Sequence, residues 1–447
     1  MKHFTLQTDL LLYMGKWLLL AMLVALLAGS ASALLLFALD WASATRIAHR
    51  QLIWLLPAAG FGVGYLYLRF GRDVEAGNNL LIDEIHDPKK VIPLRMVPLI
   101  LGGTVVSHLF GASVGREGTA VQMGGALADQ VTRLFRLKHE DRRIMLMAGI
   151  SAGFASVFGT PLAGAIFALE VLSIGRLRYD AILPCVAAAI AADQVGLLWG
   201  AHHTHYAISF VPTMSAWGFC AMVVAGAIFG VTGKVFASAT HALGGWIRQR
   251  IHYAPLRPLL GGIVIAAAVW FLGADRYIGL GIPTIVESLQ QPLAPYDFAA
   301  KMVFTITSLA SGFKGGEVTP LFYIGATLGN ALAPLLDMPL PLMAAIGFVA
   351  VFAGAANTPI ASTLMAMEMF GAELGIYAAI ACVVSYLFSG HAGIYRAQRG
   401  GHGKHWQGRD QDRAAHRDPD QQRREPADKQ PSGAEPTDDE TGDKRLS

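Results

Sequence analysis

The stretch GREGT, Gly115–Thr119, sets an arginine and a glutamate side by side between two apolar segments of the chain. The stretch GGEVTP, Gly315–Pro320, again surrounds a single glutamate with glycines, and Glu317 follows Glu117 by 200 positions. An ionisable side chain within a membrane segment is costly and is usually functional. The same costly residue in matching surroundings therefore indicates a repeated element that carries the function of this chain.

The composition supports a membrane location for both stretches. The chain has 447 residues, of which 53% are hydrophobic and 15% are charged, whereas a soluble domain carries about 25% charged residues. Several apolar runs reach the roughly 20 residues that a membrane-spanning helix needs. The 49 glycines and 21 prolines fit interrupted helices better than a membrane barrel. The sequence therefore predicts an all-α polytopic membrane protein with broken helices.

The chain consists of two halves that match each other in the order of their motifs. Three matches at nearly one offset predict two membrane repeats, residues 1–200 and 201–395. The polar remainder, residues 396–447, has too few apolar residues to fold and is expected to be a disordered cytoplasmic tail. The matched pairs are GREGT (115–119) with GGEVT (315–319), GTPLAGAIFALE (159–170) with NTPIASTLMAME (357–368), and GNNLLID (77–83) with GLGIPTI (279–285).

Each half contains three breaks rich in glycine or proline, and each break precedes an apolar helix. Repeated membrane proteins with broken helices usually bind their substrate where the repeats meet. A break exposes the free N–H groups and the positive dipole end of the helix that follows, and these attract an anion. Because lipid cannot satisfy such groups, they must line a cavity in the protein. The pattern favours an anion over a cation as the substrate.

Five segments resemble motifs of the CLC family of chloride channels and anion/proton antiporters. The resemblance extends from about Trp17 to Arg399, and the joint order of the motifs is highly specific. It implies a CLC-type fold with two inverted repeats and a homodimer with one pore in each subunit. The segments are GREGTAVQMG (115–124), GTPLAGAIFALE (159–170), GLGIP (279–283), GGEVTP (315–320) and GIYRAQR (393–399), the last at the position of the family's pore tyrosine.

Departures from the usual family motifs resemble the fluoride-exporting CLC-F branch. The segment Gly77–Leu80 lacks the usual anion-coordinating serine, and Thr119 replaces a proline after the gating glutamate. Val171 stands where an inner proton-path glutamate is expected. In the second half, Glu317 replaces an isoleucine and Val318 replaces a pore phenylalanine. The resemblance therefore implies a fluoride/proton antiporter.

Two glutamates are the predicted proton-handling residues. Glu117 is predicted to be the gate, because its ionised carboxylate can occupy an anion site and its protonated form can carry a proton. An ion pair with Arg116 is the alternative. Glu317 is predicted to support proton coupling, as the resemblance implies, while a helix cap or an ion pair with Lys314 remains an alternative.

Four polar residues are candidates for anion binding. Asn78 offers two amide N–H donors to a small, strongly hydrated anion, with Asn79 as the alternative register. Tyr395 is predicted to place an inner pore hydroxyl, although the end of a helix also suits an interfacial tyrosine. Thr119 is first a helix cap, with direct anion contact as a second role.

Other classes of function receive little support from the sequence. An enzyme needs a nucleophile–base or metal constellation, and the apolar segments contain none. The run His202–His205 resembles a metal site but lies in a polar connection without further ligands. The single cysteines, Cys185, Cys220 and Cys382, have no metal-ligand spacing. No cofactor, metal or nucleic-acid partner is expected.

The predicted function is export of fluoride from the cytoplasm coupled to proton entry across a bacterial-type inner membrane. A chloride/proton antiporter or a passive chloride channel of the same family is the alternative. Basic residues near the two ends of the membrane part predict that both termini are cytoplasmic. They are Lys2, Lys16, Arg396 and Arg399.

Overall fold

The computed structural model describes residues 2–174, 177–204, 206, 208, 210–391, 393–400 and 404. These residues form helices almost throughout, and four helical segments among them are long and apolar enough to cross a bilayer: Thr8–Ala48, Arg50–Phe70, Tyr179–Leu198 and Ala216–Arg250. The prediction of an all-α membrane protein is confirmed. The helices of the first half are α1 (Lys2–Ala48), α2 (Leu56–Phe70), α3 (Asn78–His86), α4 (Met96–Phe110), α5 (Glu117–Leu134), α6 (His139–Phe158), α7 (Pro161–Glu170) and α8 (Ile182–Leu198).

The second half repeats this order of long and short helices. Each matched sequence break precedes a helix, so α3, α5 and α7 correspond to α11, α13 and α15. The helices are α9 (Ala216–Arg250), α10 (Leu256–Leu272), α11 (Ile282–Ser288), α12 (Asp297–Ser311), α13 (Val318–Leu332), α14 (Leu340–Ala356), α15 (Pro359–Phe370) and α16 (Gly375–Phe388).

The two glutamate-containing breaks contact each other directly. Gly115 N–H donates to the Gly316 carbonyl at 2.6 Å, and Gly316 N–H donates to the Gly115 carbonyl at 2.7 Å. This antiparallel bridge satisfies backbone groups that would otherwise be unpaired in the membrane. It also brings the amino-terminal ends of α5 and α13 together in the interior.

Two further glutamates join the halves by capping each other's helices. The Glu170 carboxylate, at the end of α7, accepts the N–H groups of Ile360 and Ala361 at 3.1 and 2.9 Å. The Glu368 carboxylate on α15 accepts the N–H groups of Leu162 and of the following residue at 2.9 and 2.8 Å. Each carboxylate therefore satisfies free N–H groups at a helix start, as expected of structural acids that tie helices together.

Phenylalanines pack between the two halves. Phe154 and Phe167 stack with ring centroids 4.4 Å apart, and Phe322 and Phe348 stack at 3.9 Å. Phe158 of α6 links the two pairs, with its centroid 5.3 Å from that of Phe322. These rings form a closely packed layer between α6, α7, α13 and α14.

The start of the predicted tail packs against the helical body. Strand β1 (Ser173–Ile174) pairs in parallel with strand β2 (Arg399–Gly400). The Lys404 ammonium donates to the Tyr386 carbonyl at 2.8 Å and to the Ser389 hydroxyl at 3.1 Å. Within the predicted tail, residues 396–400 and 404 therefore lie against the helical body, while residues 401–403 and 405–447 lie outside the described residues.

Candidate functional site: an anion position between two cavities

The Glu117 carboxylate is held at the amino-terminal end of α13, a helix of the other half. Its Oε2 accepts the N–H groups of Thr319 and Arg116, both at 3.1 Å. Its Oε1 accepts a hydrogen bond from the Thr319 hydroxyl. Glu117 is 0% exposed. Because free N–H groups at a helix start attract negative charge, the carboxylate occupies a position that suits an anion.

Arg116 does not form a close ion pair with Glu117. Its Nε lies 3.9 Å from Glu117 Oε1 and has no hydrogen-bond partner. The groups that hold the carboxylate are therefore N–H and hydroxyl donors, which can bind an anion in its place. The ion pair between Arg116 and Glu117, which the sequence offered as the alternative, is present only as this long contact.

Glycines allow the close approach of the two breaks. A Cβ atom on Gly118 would lie 3.1 Å from the Gly316 Cα and 3.0 Å from the Asn78 Nδ2. A Cβ atom on Gly115 would lie 2.7 Å from the Glu117 carboxylate. Side chains at these positions would push the breaks apart, so the glycines of both motifs serve the packing of the site.

A cavity of ≈ 620 Å³ opens on one side of Glu117. Its wall includes Gly316 and Glu317, the residues next to the bridge. Lys or Arg side chains outnumber acids among its lining residues, and none of these cations forms an ion pair within the described residues. Such a cavity has a positive potential that concentrates anions. The lining cations are Arg248, Arg257, Lys314 and Arg396, and the acids are Glu75 and Glu317.

A much smaller cavity, ≈ 20 Å³, lies next to the residues that hold Glu117. Arg116 and Thr319, which both bind the Glu117 carboxylate, line it together with Ile282, Phe322 and other residues. Residues that bind or adjoin Glu117 therefore line both cavities, Asn78 and Gly316 the larger one and Arg116 and Thr319 the smaller one.

The two candidate asparagines have different surroundings. The Asn79 Oδ1 accepts the N–H of Ala397 at 3.0 Å, which anchors the segment that follows Tyr395. The Asn78 Nδ2 lies beside Gly118, and the Asn78 Oδ1 is buried without a hydrogen-bond partner. Both residues line the larger cavity. The geometry favours Asn78 as the residue that faces the gate and gives Asn79 a structural bond.

Glu317 lines the larger cavity. Its side chain neither caps a helix nor pairs with Lys314, the two alternatives to a role in proton coupling. It occupies the N-cap position of α13, but its side chain makes no capping hydrogen bond. The Lys314 ammonium lies over the Tyr67 ring, 3.9 Å from the centroid. No ion pair between Lys314 and Glu317 is present among the described residues. The carboxyl group is thus free to face the cavity.

Tyr395 is a buried residue of the larger cavity. Its ring lies 6.3 Å from that of Phe167 in α7, and it is 8% exposed. The interfacial alternative would place this tyrosine at the lipid surface, which the burial contradicts. Tyr395 is one of the residues that line the larger cavity.

The two threonines of the matched motifs have different hydrogen-bond partners. The Thr119 hydroxyl lies 2.7 Å from the Thr104 hydroxyl, and Thr119 lines neither cavity. Thr319 instead binds Glu117 through its N–H and its hydroxyl. The sequence offers both threonines as helix caps with anion contact as a second role, and only Thr319 contacts Glu117. The signal in the sequence was its match to Thr119 after the second glutamate.

Comparisons with known proteins agree with this geometry. Residues 59–390 match the family described as voltage gated chloride channel. A chloride/fluoride channel protein of Pseudomonas syringae pv. tomato is 67% identical over 405 residues, covering 89% of this chain and 90% of that protein. The H(+)/Cl(-) exchange transporter ClcA of Vibrio vulnificus is 29% identical over 388 residues, covering 79% and 81%.

One solved structure is similar to this chain in both sequence and fold. The crystal structure of a CLC-type fluoride/proton antiporter is 35% identical to this chain with a TM-score of 0.84. The match covers 87% of this chain and 98% of that one. The predicted CLC-type fold of two inverted repeats is confirmed. The chain belongs to the CLC family of voltage gated chloride channels, and it is a membrane protein of anion transport and not an enzyme.

Proposed function

We propose that the chain is a fluoride/proton antiporter that exports fluoride from the cytoplasm in exchange for protons. The observation that carries this proposal is the Glu117 carboxylate, bound by Thr319 between two cavities. One position then holds either the carboxylate or an anion. A proton must bind Glu117 before the carboxyl group leaves in favour of an anion, and this requirement couples the two fluxes.

Exchange of one anion for one proton is driven by both components of the proton gradient. An anion that leaves and a proton that enters move charge in the same direction. Each is worth about 2.3 kcal/mol for every 100 mV of membrane potential. Fluoride enters cells as neutral hydrogen fluoride and ionises inside, so its export needs such a driving force.

The small volume of the smaller cavity supports fluoride rather than chloride as the transported anion. A cavity of ≈ 20 Å³ has room for about one water-sized particle, and fluoride is close to water in size while chloride is larger. The similar solved structure of a fluoride/proton antiporter also supports this choice, whereas the Pseudomonas relative is named for both chloride and fluoride. Chloride/proton exchange remains the second candidate, because ClcA is named for it.

We place the larger cavity on the cytoplasmic side of an inner membrane. Arg248, Arg257 and Arg396 line it, and basic residues concentrate on the cytoplasmic side of membrane proteins. Both termini are proposed to be cytoplasmic on the same ground. A homodimer with one pore in each subunit is proposed from the resemblance to the family.

The proposed function is tested by reconstitution in liposomes loaded with fluoride or chloride. We expect fluoride efflux with matched uptake of protons, followed by an ion-selective electrode and a pH electrode together, and little chloride efflux. Chloride efflux as fast as fluoride efflux would instead identify an ordinary chloride transporter of the family.

Glu317→Gln is expected to reduce proton uptake for each anion exported by about tenfold or more, because the amide cannot bind a proton for transfer. The measurement is the ratio of the two electrode signals. Glu75→Gln is the matched control, since Glu75 also lines the larger cavity and is not predicted to carry protons. Equal ratios in Glu317→Gln and the unmodified protein would restrict Glu317 to a structural role.

Thr319→Val is expected to weaken anion binding by about 10- to 100-fold, because a hydrogen bond to a charged group contributes about 1.5–3 kcal/mol. Valine keeps the branched shape and the backbone N–H while it removes the hydroxyl. Concentration dependence of fluoride efflux gives the change in KM. Thr119→Val is the control, and a similar change in both variants would contradict the assignment of Thr319.

A further inference from the structure

Lys301 is a fully buried cation that the proposed exchange does not use. It lies on α12 and is 0% exposed. Its ammonium donates to the Gly279 carbonyl at 2.7 Å and to the Tyr277 carbonyl at 3.1 Å. The ring of Tyr323 lies 5.1 Å from the same nitrogen. Two carbonyls and a ring face accommodate an ammonium group well, yet a charge inside a membrane protein is costly without a function.

The acids of this region are bound to another cation. Asp297, one turn before Lys301 on α12, accepts the Tyr277 hydroxyl at 2.6 Å and lies 3.5 Å from the Arg276 guanidinium. Glu287 lies 3.0 Å from the same guanidinium. Among the described residues, no carboxylate lies within 4 Å of the Lys301 ammonium. The positive charge of Lys301 thus has no adjacent counter-ion in the protein.

Lys301 lies directly behind the wall of the smaller cavity. A Cβ atom on Gly281 would be 3.6 Å from the Lys301 ammonium. The next residue, Ile282, lines that cavity together with Arg116 and Thr319. The cation is therefore adjacent to Gly281, whose neighbour in the chain, Ile282, lines the smaller cavity.

We propose that Lys301 is an electrostatic positioning residue for the anion in the smaller cavity. Its charge lowers the free energy of an anion there, because charges interact strongly in a dry interior. The transported anion, when it occupies the cavity, supplies the missing negative charge. The inference rests on the proposed transport function, but it applies to whichever anion the protein carries.

Sided transport measurements test this role. Right-side-out and inverted membrane vesicles from expressing cells allow the anion concentration to be varied on one face at a time. For Lys301→Met we expect KM to rise by about tenfold for anion supplied to the face of the smaller cavity. For anion supplied to the face of the larger cavity, KM should change by less than about twofold. Lys301→Arg keeps the charge and should restore KM toward that of the unmodified protein.

A purely structural lysine predicts a different result. If Lys301 only holds the carbonyls of the break, Lys301→Met should lower turnover or raise KM equally on both faces, and this outcome would overturn the proposal. Should the methionine variant fail to fold, Lys301→Gln retains an N–H donor without the charge and must show the same one-sided rise in KM. The assay uses the anion that the unmodified protein transports, so loss of fluoride specificity alone would refute the proposed function and leave this inference standing.

Discussion

Glu117→Gln is expected to abolish the coupling of proton movement to anion movement while anion flux continues. Glutamine has nearly the shape of glutamic acid but cannot ionise, so it neither competes as an anion nor carries a proton. The side-chain amide of glutamine also places an N–H donor where Thr319 offers two donors. Because two donors cannot bond to each other, glutamine should bind to Thr319 more weakly than the carboxylate does. The protons moved for each anion should fall by at least about 100-fold, as for the loss of an essential proton-transfer group.

The chain contains a matched control for this substitution. Glu368 is a half-buried glutamate whose carboxylate, like that of Glu117, accepts two N–H groups at a helix start, but it is not among the lining residues of either cavity. Glu368→Gln should keep the ratio of protons to anions that the unmodified protein has. Simultaneous recordings of pH and anion concentration compare the two variants. Preserved coupling in Glu117→Gln, or lost coupling in Glu368→Gln, would contradict the gate assignment.

Arg142→Met is expected to lower the free energy of unfolding by about 3–5 kcal/mol, because it leaves buried carboxylates without their partner. The Arg142 guanidinium binds both oxygens of Asp129 at 2.7 and 2.9 Å and the Glu84 carboxylate at 3.0 Å. It also donates to the Lys90 carbonyl at 2.6 Å. Glu84 belongs to α3 and Asp129 to α5, so this cluster joins the helices that begin at Asn78 and Glu117.

The neighbouring arginine provides the control for stability. The Arg143 guanidinium lies 2.9 Å from Glu140, whose side chain is 70% exposed, and donates to the His86 carbonyl at 2.9 Å. A surface ion pair contributes about 0–1 kcal/mol and a hydrogen bond about 0.5–1.5 kcal/mol, so the expected loss is smaller than for Arg142. Denaturant titration of the detergent-solubilised protein should therefore separate Arg142→Met from Arg143→Met by several kcal/mol. Nearly equal midpoints would mean that the buried cluster is dispensable. Adding Asp129→Asn and Glu84→Gln to Arg142→Met should recover part of the lost stability.

The fold class was predictable from the sequence, and the sequence also supplied the candidate residues of the site. Apolar runs, glycine and proline breaks and the repeated glutamates are local signals, since each depends on residues close together in the chain. They were sufficient to identify the helical membrane class and to single out Glu117 as a candidate. The resemblance to the CLC family added the inverted arrangement, which matching offsets alone do not specify.

The partners of the site residues depended on the tertiary structure. Thr319 binds a carboxylate 202 positions away, and no local pattern distinguishes it from Thr119. The same holds for Asn78 beside the gate and Asn79 bound to Ala397. A helix that begins one residue earlier or later exchanges the directions of such neighbours.

The sequence by itself therefore determined which helices form. It also determined which ionisable side chains lie within membrane segments, where burial of a charge costs free energy. Only the tertiary structure decided that the N–H and hydroxyl of Thr319 bind the Glu117 carboxylate. The same is true of the caps that Glu170 and Glu368 provide for each other's helices, and of the position of Lys301 beside the smaller cavity. The physical reason is that helix breaks and burial are set by nearby residues, whereas these contacts arise only when two halves of the chain pack together.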